Sequence, residues 1–228
     1  MSLNEEIKEI LNKNGFPLFG VGNMEDVKNC DFKYAISFVL PVPIETVKEI
    51  KQIGPTKEYM EVYKDMNAKL NNMMLYIENF LKEKGYNAFA YTGEYSTYDE
   101  ITWETKLPHK TAATRAGLGW IGKCDLLITK EYGGAIRLGT VYTDAELIPN
   151  EPINESKCDD CTICVDICPA NAITGKNWDV TVHRNELVDP KKCNCNMIEQ
   201  MRKAANVDYE ICGRCFAHCR YTKNYIEK

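Results

Sequence analysis

Nine of the eleven cysteines in this 228-residue chain lie in its last third, and only Cys30 and Cys124 stand upstream. Four of the nine form CDDCTICVDICP, which sets Cys158, Cys161, Cys164 and Cys168 in the spacing C-x2-C-x2-C-x3-C and closes on Pro169. In that spacing the short gaps let three thiolates wrap three corners of one iron-sulfur cube, while the fourth cysteine points toward a different cluster. A returning set is therefore required. ICGRCFAHC supplies Cys212, Cys215 and Cys219, and CNC at 193 to 195 supplies the missing ligand. The crossed arrangement gives one [4Fe-4S] cluster to Cys158, Cys161, Cys164 and Cys219, and a second to Cys168, Cys212, Cys215 and either Cys193 or Cys195. Structural zinc is the rival, but zinc sites favour separated C-x2-C pairs over three consecutive cysteines and a closing C-P. Cysteine alone completes both sets, so His183 and His218 read as surface or packing residues.

This use of cysteine suits a reducing compartment. The first residues, MSLNEEIKEILNKNG, show no basic leader followed by an apolar core, and no stretch is long enough to cross a bilayer. A cytoplasmic protein without a membrane partner is expected. A formal net charge of -5 argues against an extended nucleic-acid surface.

Composition changes near residue 150, where LIPNEPINES has the prolines and polar residues of a linker. Two domains are expected, 1–150 and 151–228. In the first, Leu3, Ile7, Ile10 and Leu11 share a helical face that stops at Gly15. YAISFVL, residues 34 to 40, reads as a strand buried on both faces, and PIETVKEI begins a helix with proline in its first turn. Tyr59, Tyr63, Met66, Leu70, Met73, Ile77, Phe80 and Leu81 recur at helical intervals until Gly85, as a core stripe. NAFAYTG reads as a short strand, and CDLLIT with AIRLGTVYT as a hairpin or two neighbouring strands across Gly133 and Gly134.

RAGLGWIGK, residues 115 to 123, contains the G-x-G-x-x-G of a dinucleotide fingerprint. That fingerprint needs a strand before the glycines and a helix after them. Here HKTAATRA, rich in helix formers, precedes them and the apolar CDLLIT follows, so the stretch reads as a helix leaving through a glycine turn into a sheet. Asp144 lies at the distance of a ribose-binding acid, a spacing that is common by chance. Cys124, inside the expected strand, reads as inert.

The run LPHKTAATRAGLGWIGKCDLLITKEYGGAIRLGTVYTDAEL, then the four-cysteine motif, VDPKKC and CGRCFAHC, resembles the epoxyqueuosine reductase family and its shorter relatives. GPTKEYMEVYKDMNAKL and YAISFVLP extend the resemblance over most of the chain. The resemblance implies a nitroreductase-like α/β domain, a ferredoxin-like two-cluster domain, and a cobalamin between them, as in reductive dehalogenases. By position it selects Cys193 over Cys195. It also places Arg115, Ala116, Gly117, Leu118, Gly119, Trp120, Ile121, Gly122 and Lys123 on the cofactor side, where glycines allow close backbone approach and Trp120 can pack on a macrocycle. The equal rival for those glycines is a helix C-cap.

Three departures qualify the likeness. The long C-terminal helical-repeat region is missing, so a tRNA substrate is not expected. The family's catalytic aspartate has no clear equivalent; Glu104 in WETK is the nearest acid, and Tyr95 and Tyr98 are further candidate proton donors. Arg220 follows the last cysteine where the family has proline. The expected function is a cobalamin-dependent reductase fed by an external low-potential electron donor and acting on a small-molecule or partner-protein acceptor. The alternative is an electron-transfer protein without its own substrate that reduces a corrinoid or flavin partner. Flavin binding on the first domain is a third reading, which no residue selects.

Overall fold

In the computed structural model, which describes residues 1–93, 99 and 102–227, the chain is a mixed α/β protein. It divides into two compact units. One comprises residues 1–40, 66–119 and 137–153, the other residues 41–65, 120–136 and 154–228.

The first unit is built on a four-stranded sheet made of β1 (Leu18–Asn23), β2 (Tyr34–Pro41), β3 (Ala88–Ala90) and β6 (Ile136–Thr143), in the order β1-β2-β6-β3. β1 pairs antiparallel with β2, Leu18 opposite Val39, and β3 pairs antiparallel with β6, Ala88 opposite Thr143. β2 is buried from Ala35 to Leu40, as its unbroken apolar run requires. Helix α1 (Leu3–Lys13) starts in a capping box between Ser2 and Glu5 and buries Ile7 and Leu11. Helix α3 (Lys57–Glu83) contributes its later turns to this unit, burying Leu70, Met74, Ile77 and Leu81. Of the expected stripe, Tyr59, Met66, Leu70, Met73, Ile77 and Leu81 are buried, while Tyr63 and Phe80 are half-buried. Phe16 meets Phe38 edge to face at 5.2 Å, and a second cluster joins Met24, Ala35, Tyr91, Ala112 and Tyr142, with Cys30 packed against it.

β1 is the strand that periodicity misses, because LFGVGN interrupts its apolar residues with two glycines. Those glycines are what seats the next helix. Gly20 and Gly22 sit two residues apart and so share a strand face, and α4 (His109–Arg115) lies on it. A Cβ at Gly20 would land on the Ala116 carbonyl oxygen, and one at Gly22 would come within 2.8 Å of Arg115 Cβ. The LIPNEPINES stretch is likewise docked rather than loose up to residue 153. Ile148 N donates to Asn4, Asn150 N to the Val21 carbonyl, and Ile153 N to the Thr114 carbonyl at 2.9 Å.

The second unit gathers helix α2 (Ile44–Ile53), the first turns of α3, the two-stranded ribbon of β4 (Trp120–Ile121) and β5 (Leu127–Ile128), and the cysteine-rich segment. That segment carries α5 (Ile163–Asp166), α6 (Arg184–Leu187), α7 (Pro190–Ala205), α8 (Arg214–Ala217) and α9 (Arg220–Ile226). Two expectations need correction. CDLLIT is strand only at Leu127–Ile128, and its partner is β4; AIRLGTVYT belongs to the four-stranded sheet. Asp125, with φ of 62°, turns the chain just before β5 and leaves no room for a longer strand.

Gly133 and Gly134 provide the close approach that holds this unit together. Gly134 N donates to Thr222 Oγ1 at 3.1 Å, Tyr132 meets Tyr225 at 5.0 Å, and Tyr225 Oη donates to the Val42 carbonyl at 2.9 Å. Arg214 donates to the Ile53 carbonyl, over Gly54. Among the described residues no helix is long and apolar enough to cross a membrane.

Replacing Gly20 with Ala is expected to cost about 2–3 kcal/mol, because the methyl meets backbone that cannot swing aside. Gly85→Ala, where no atom lies within 4 Å but φ is +91°, tests strain alone and is expected to cost about 1 kcal/mol. Urea unfolding midpoints of the two variants check the difference.

Candidate iron-sulfur site

The first cysteine loop is shaped by its own backbone. Cys158 N donates to Ser156 Oγ, Cys161 N to the Cys158 carbonyl at 3.0 Å, and Asp159 takes a left-handed φ of 49° so that the chain doubles back. α5 then carries Cys164, and Cys168 N donates to the Val165 carbonyl at the end of that turn. α8 opens at Gly213, whose φ of 82° is open to glycine, and Cys219 forms the N-cap of α9.

These turns bring Cys158, Cys161, Cys164 and Cys219 to the wall of one open cavity of about 350 Å³, counting the space at its mouth. The rest of its lining includes Lys123, Cys124, Arg220 and Tyr221, and no carboxylate among the described residues. Burial pushes the Cys219 thiol up, with Cys158 and Cys164 adding to it. A second group forms around α7. Its N-cap Asp189 accepts from Lys192 N, and Pro190 occupies the first turn. Residues two apart on a helix face different ways, so Cys193 and Cys195 diverge. Cys193 is half-buried, and burial followed by the nearness of Cys212 and Cys168 pushes its thiol up to about 11. Cys195 is exposed. Cys212 accepts from Gln200 Nε2 at 3.4 Å, and burial raises its thiol.

Cys124 is buried in the turn of the β4-β5 ribbon, where Cys164 and Cys215 are its sulfur neighbours. Cys164 is the larger influence and pulls its thiol down; Cys215 and burial outweigh it and leave the group well above its ordinary range. In Cys164 the same contact acts upward, and it is the first cause of that thiol's rise. The isolated strand residue expected from sequence is thus a neighbour of both cysteine groups.

Two buried N–H donors of this unit lack partners, and of their residues only Arg220 lines the cavity. Arg220 Nε and Trp120 Nε1 are buried and make no hydrogen bond. Leaving such a donor unpaired costs roughly 1–3 kcal/mol, so an acceptor is expected beside each. Lys123 is only 5% exposed and makes no hydrogen bond or ion pair among the described residues. A cage of four thiols, two cationic side chains and an unpaired N–H suits an anionic sulfur cluster.

The other sequence candidates are placed as follows. Gly117, φ 69°, closes α4: Gly117 N donates to the Thr114 carbonyl and Leu118 N to that of Ala113. Residues 115–119 fall in the first unit and 120–123 in the second. Arg115 donates to the Ile153 carbonyl, and burial lowers its pKa. Trp120 is 1% exposed and meets Tyr221 edge to face at 4.8 Å, with Ile121 and Gly122 behind it; a Cβ on Gly122 would strike Ile128 at 2.8 Å. Glu104 is half-buried, its carbonyl accepting from Asp99 N at 2.8 Å. Tyr95 and Tyr98 lie outside the described residues. Asp144 is occupied by Asn87, from whose backbone and side-chain nitrogens it accepts at 2.9 and 2.6 Å. His183 caps α6, and His218 Nδ1 pairs with the Arg214 carbonyl.

Comparison with known proteins places this site in a class. Residues 151–174 match the model of the 4Fe-4S binding domain, so the chain carries an iron-sulfur module. Over 88 residues, 39% of this chain and 20% of the relative, it is 36% identical to the epoxyqueuosine reductase of Bacillus anthracis. The solved epoxyqueuosine reductase of Streptococcus thermophilus shares the fold over 98% of this chain and 67% of its own, with a TM-score of 0.59 at 21% identity. A reductive dehalogenase whose structure was described in terms of B12-dependent dehalogenation shares it over 96% of this chain and 32% of its own, with a TM-score of 0.66 at 18% identity. The resemblance to epoxyqueuosine reductases thus holds in sequence and in fold. The matched stretches span between 18% and 39% of the curated relatives' own lengths.

Divergence of the two α7 cysteines is directly measurable. In the metal-free chain, iodoacetamide is expected to label Cys195 at least about tenfold faster than Cys193, because the thiolate is the nucleophile and burial disfavours it. Peptide mass spectrometry over a time course checks the order.

Proposed function

We propose that the chain is an iron-sulfur oxidoreductase of epoxyqueuosine reductase type, in which Cys158, Cys161, Cys164 and Cys219 hold one [4Fe-4S] cluster and Cys168, Cys193, Cys212 and Cys215 hold a second. The observation that carries this reading is the cavity walled by the first four thiols, three from one loop and one returning from the C-terminal segment. Proximity of Cys193 to Cys168 and Cys212 supports the second set. When bound, the clusters supply single-electron transfer from an external low-potential donor, and a cobalamin supplies the reduction of an acceptor.

The cobalamin component is supported by the relatives, and residues 115–123 are its proposed protein side. Within that segment Gly117 closes α4 and Gly122 packs against Ile128. Glu104, Tyr95 and Tyr98 are the proposed proton donors. Functionally, residues 1–150 act as the cofactor and substrate domain, nitroreductase-like in fold, and residues 151–228 as the ferredoxin-like domain. A small molecule or a partner protein is the proposed acceptor, and the cytoplasm fits the chain's cysteine use.

Anaerobic purification followed by iron, sulfide and cobalt analysis tests the proposal. About eight irons and eight sulfides per chain are expected, with one cobalt after cobalamin loading. Cys168→Ser and Cys193→Ser are each expected to lose about four irons and Cys195→Ser none. Zinc in place of iron rejects the whole reading; eight irons without cobalamin uptake rejects its corrinoid half.

A further inference from the structure

The cavity walled by Cys158, Cys161, Cys164 and Cys219 has one cationic side chain that is both fixed and incompletely paired. Arg220 Nη2 donates to the Lys157 carbonyl at 2.6 Å and to Asp159 Oδ2 at 2.9 Å. It also reaches Tyr221 Oη at 3.4 Å, and the guanidinium stands 5.0 Å from the Tyr221 ring centroid. Tyr221 Oη in turn donates to the Lys157 carbonyl at 3.1 Å, which ties the clamp together. A planar guanidinium held at one end has its remaining N–H directions set. Its Nε is buried and bonded to nothing, although Arg220 lines the cavity immediately after Cys219.

We propose that Arg220 is a positioning residue for the first cluster: its buried Nε–H donates to the sulfur cage held by Cys158, Cys161, Cys164 and Cys219, and so raises that cluster's midpoint potential. The inference rests on the two-cluster reading above. One-electron reduction adds a negative charge to the cage, and a hydrogen bond to sulfur stabilises the charged acceptor more than the less charged one. Lys123, buried on the same wall, adds a cationic field of the same sign. The Asp159 carboxylate is bonded to Nη2 and leaves the Nε–H free to donate.

The test uses the full chain reconstituted anaerobically with iron and sulfide, titrated with dithionite and followed by electron paramagnetic resonance. Two variants separate donor from charge. Arg220→Met fills the space without an N–H, whereas Arg220→Gln returns a neutral N–H at the position of Nε. Arg220→Met is expected to keep about eight irons and to lower the midpoint potential of one cluster, so that at fixed potential its reduced-to-oxidised ratio falls about tenfold, equivalent to about 59 mV for a one-electron couple. Arg220→Gln is expected to recover most of that ratio, and the other cluster to stay in place.

Unchanged potentials in Arg220→Met, an equal shift of both clusters, no recovery in Arg220→Gln, or loss of four irons from both variants would each overturn the role. A wild-type chain that fails to take up two clusters overturns the parent reading instead, and does so before any variant is made.

Discussion

Everything at the candidate site depends on Cys219 returning to the loop that carries Cys158, Cys161 and Cys164. Three thiols within seven residues are a local matter of turns, but a fourth some fifty residues on must be delivered by the fold. Hydrogen bonds and ring contacts make that delivery alongside the buried Phe216 and Ala217 of α8. Thr222, three residues beyond Cys219, accepts from Gly134 N, and Tyr221 seats against Trp120. The β4-β5 ribbon and the glycine turn after it therefore set the position of the Cys219 thiol. Drawing residues 120–136 into the unit of the cysteine segment is the structural expression of that dependence.

Glycine marks the places where backbone must come close, and the reasons differ by site. Gly20 and Gly22 have no need of left-handed angles; they are bare so that α4 can lie on β1. Gly133 needs both, since its φ is 58° and a Cβ would meet Thr222. This explains why the strand containing Gly20 and Gly22 is hidden in the sequence while the strand of residues 34–41 is not. An unbroken run such as AISFVL announces burial on two faces, whereas a strand whose helix-covered face is made of glycine announces nothing.

The same distinction governs the site. The ligand spacing within CDDCTICVDIC is legible because it is a local geometric code. The helices at 3–13, 44–53 and 57–83 are legible because each repeats its apolar residues over several turns. The choice between Cys193 and Cys195 was not legible in the residues themselves, which left both open; the helix that turns them apart emerges only in the fold. Cys124, Lys123 and Arg220 were not legible as neighbours of the sulfur cage. Each is short of pattern: Lys123 and Cys124 reach the cavity through contacts far away in sequence, and Arg220 only through the return of its neighbour Cys219. The strand expected over 124–129 also hid Cys124, since the compact apolar run of CDLLIT resembles a buried strand more than the tight turn that Asp125 makes of its start.

The stretch RAGLGWIGK shows how a pattern keeps its spelling and changes its physics. In a dinucleotide fold the glycines lie between strand and helix and free the helix N-terminus for a pyrophosphate. Here they follow a helix C-terminus, where carbonyls rather than amides are left unpaired, and an anion has nothing to gain. Gly117 answers that deficit by turning the chain so that Gly117 N and Leu118 N pair with two of those carbonyls. Gly122 is small for a different reason, the contact with Ile128 in the ribbon that presents Lys123 and Cys124 to the cavity. The anion-binding capacity of this segment thus resides in a buried ammonium beside the thiols, not in a glycine-rich cradle, and that favours a sulfur cluster over a nucleotide as the charge it was built to meet.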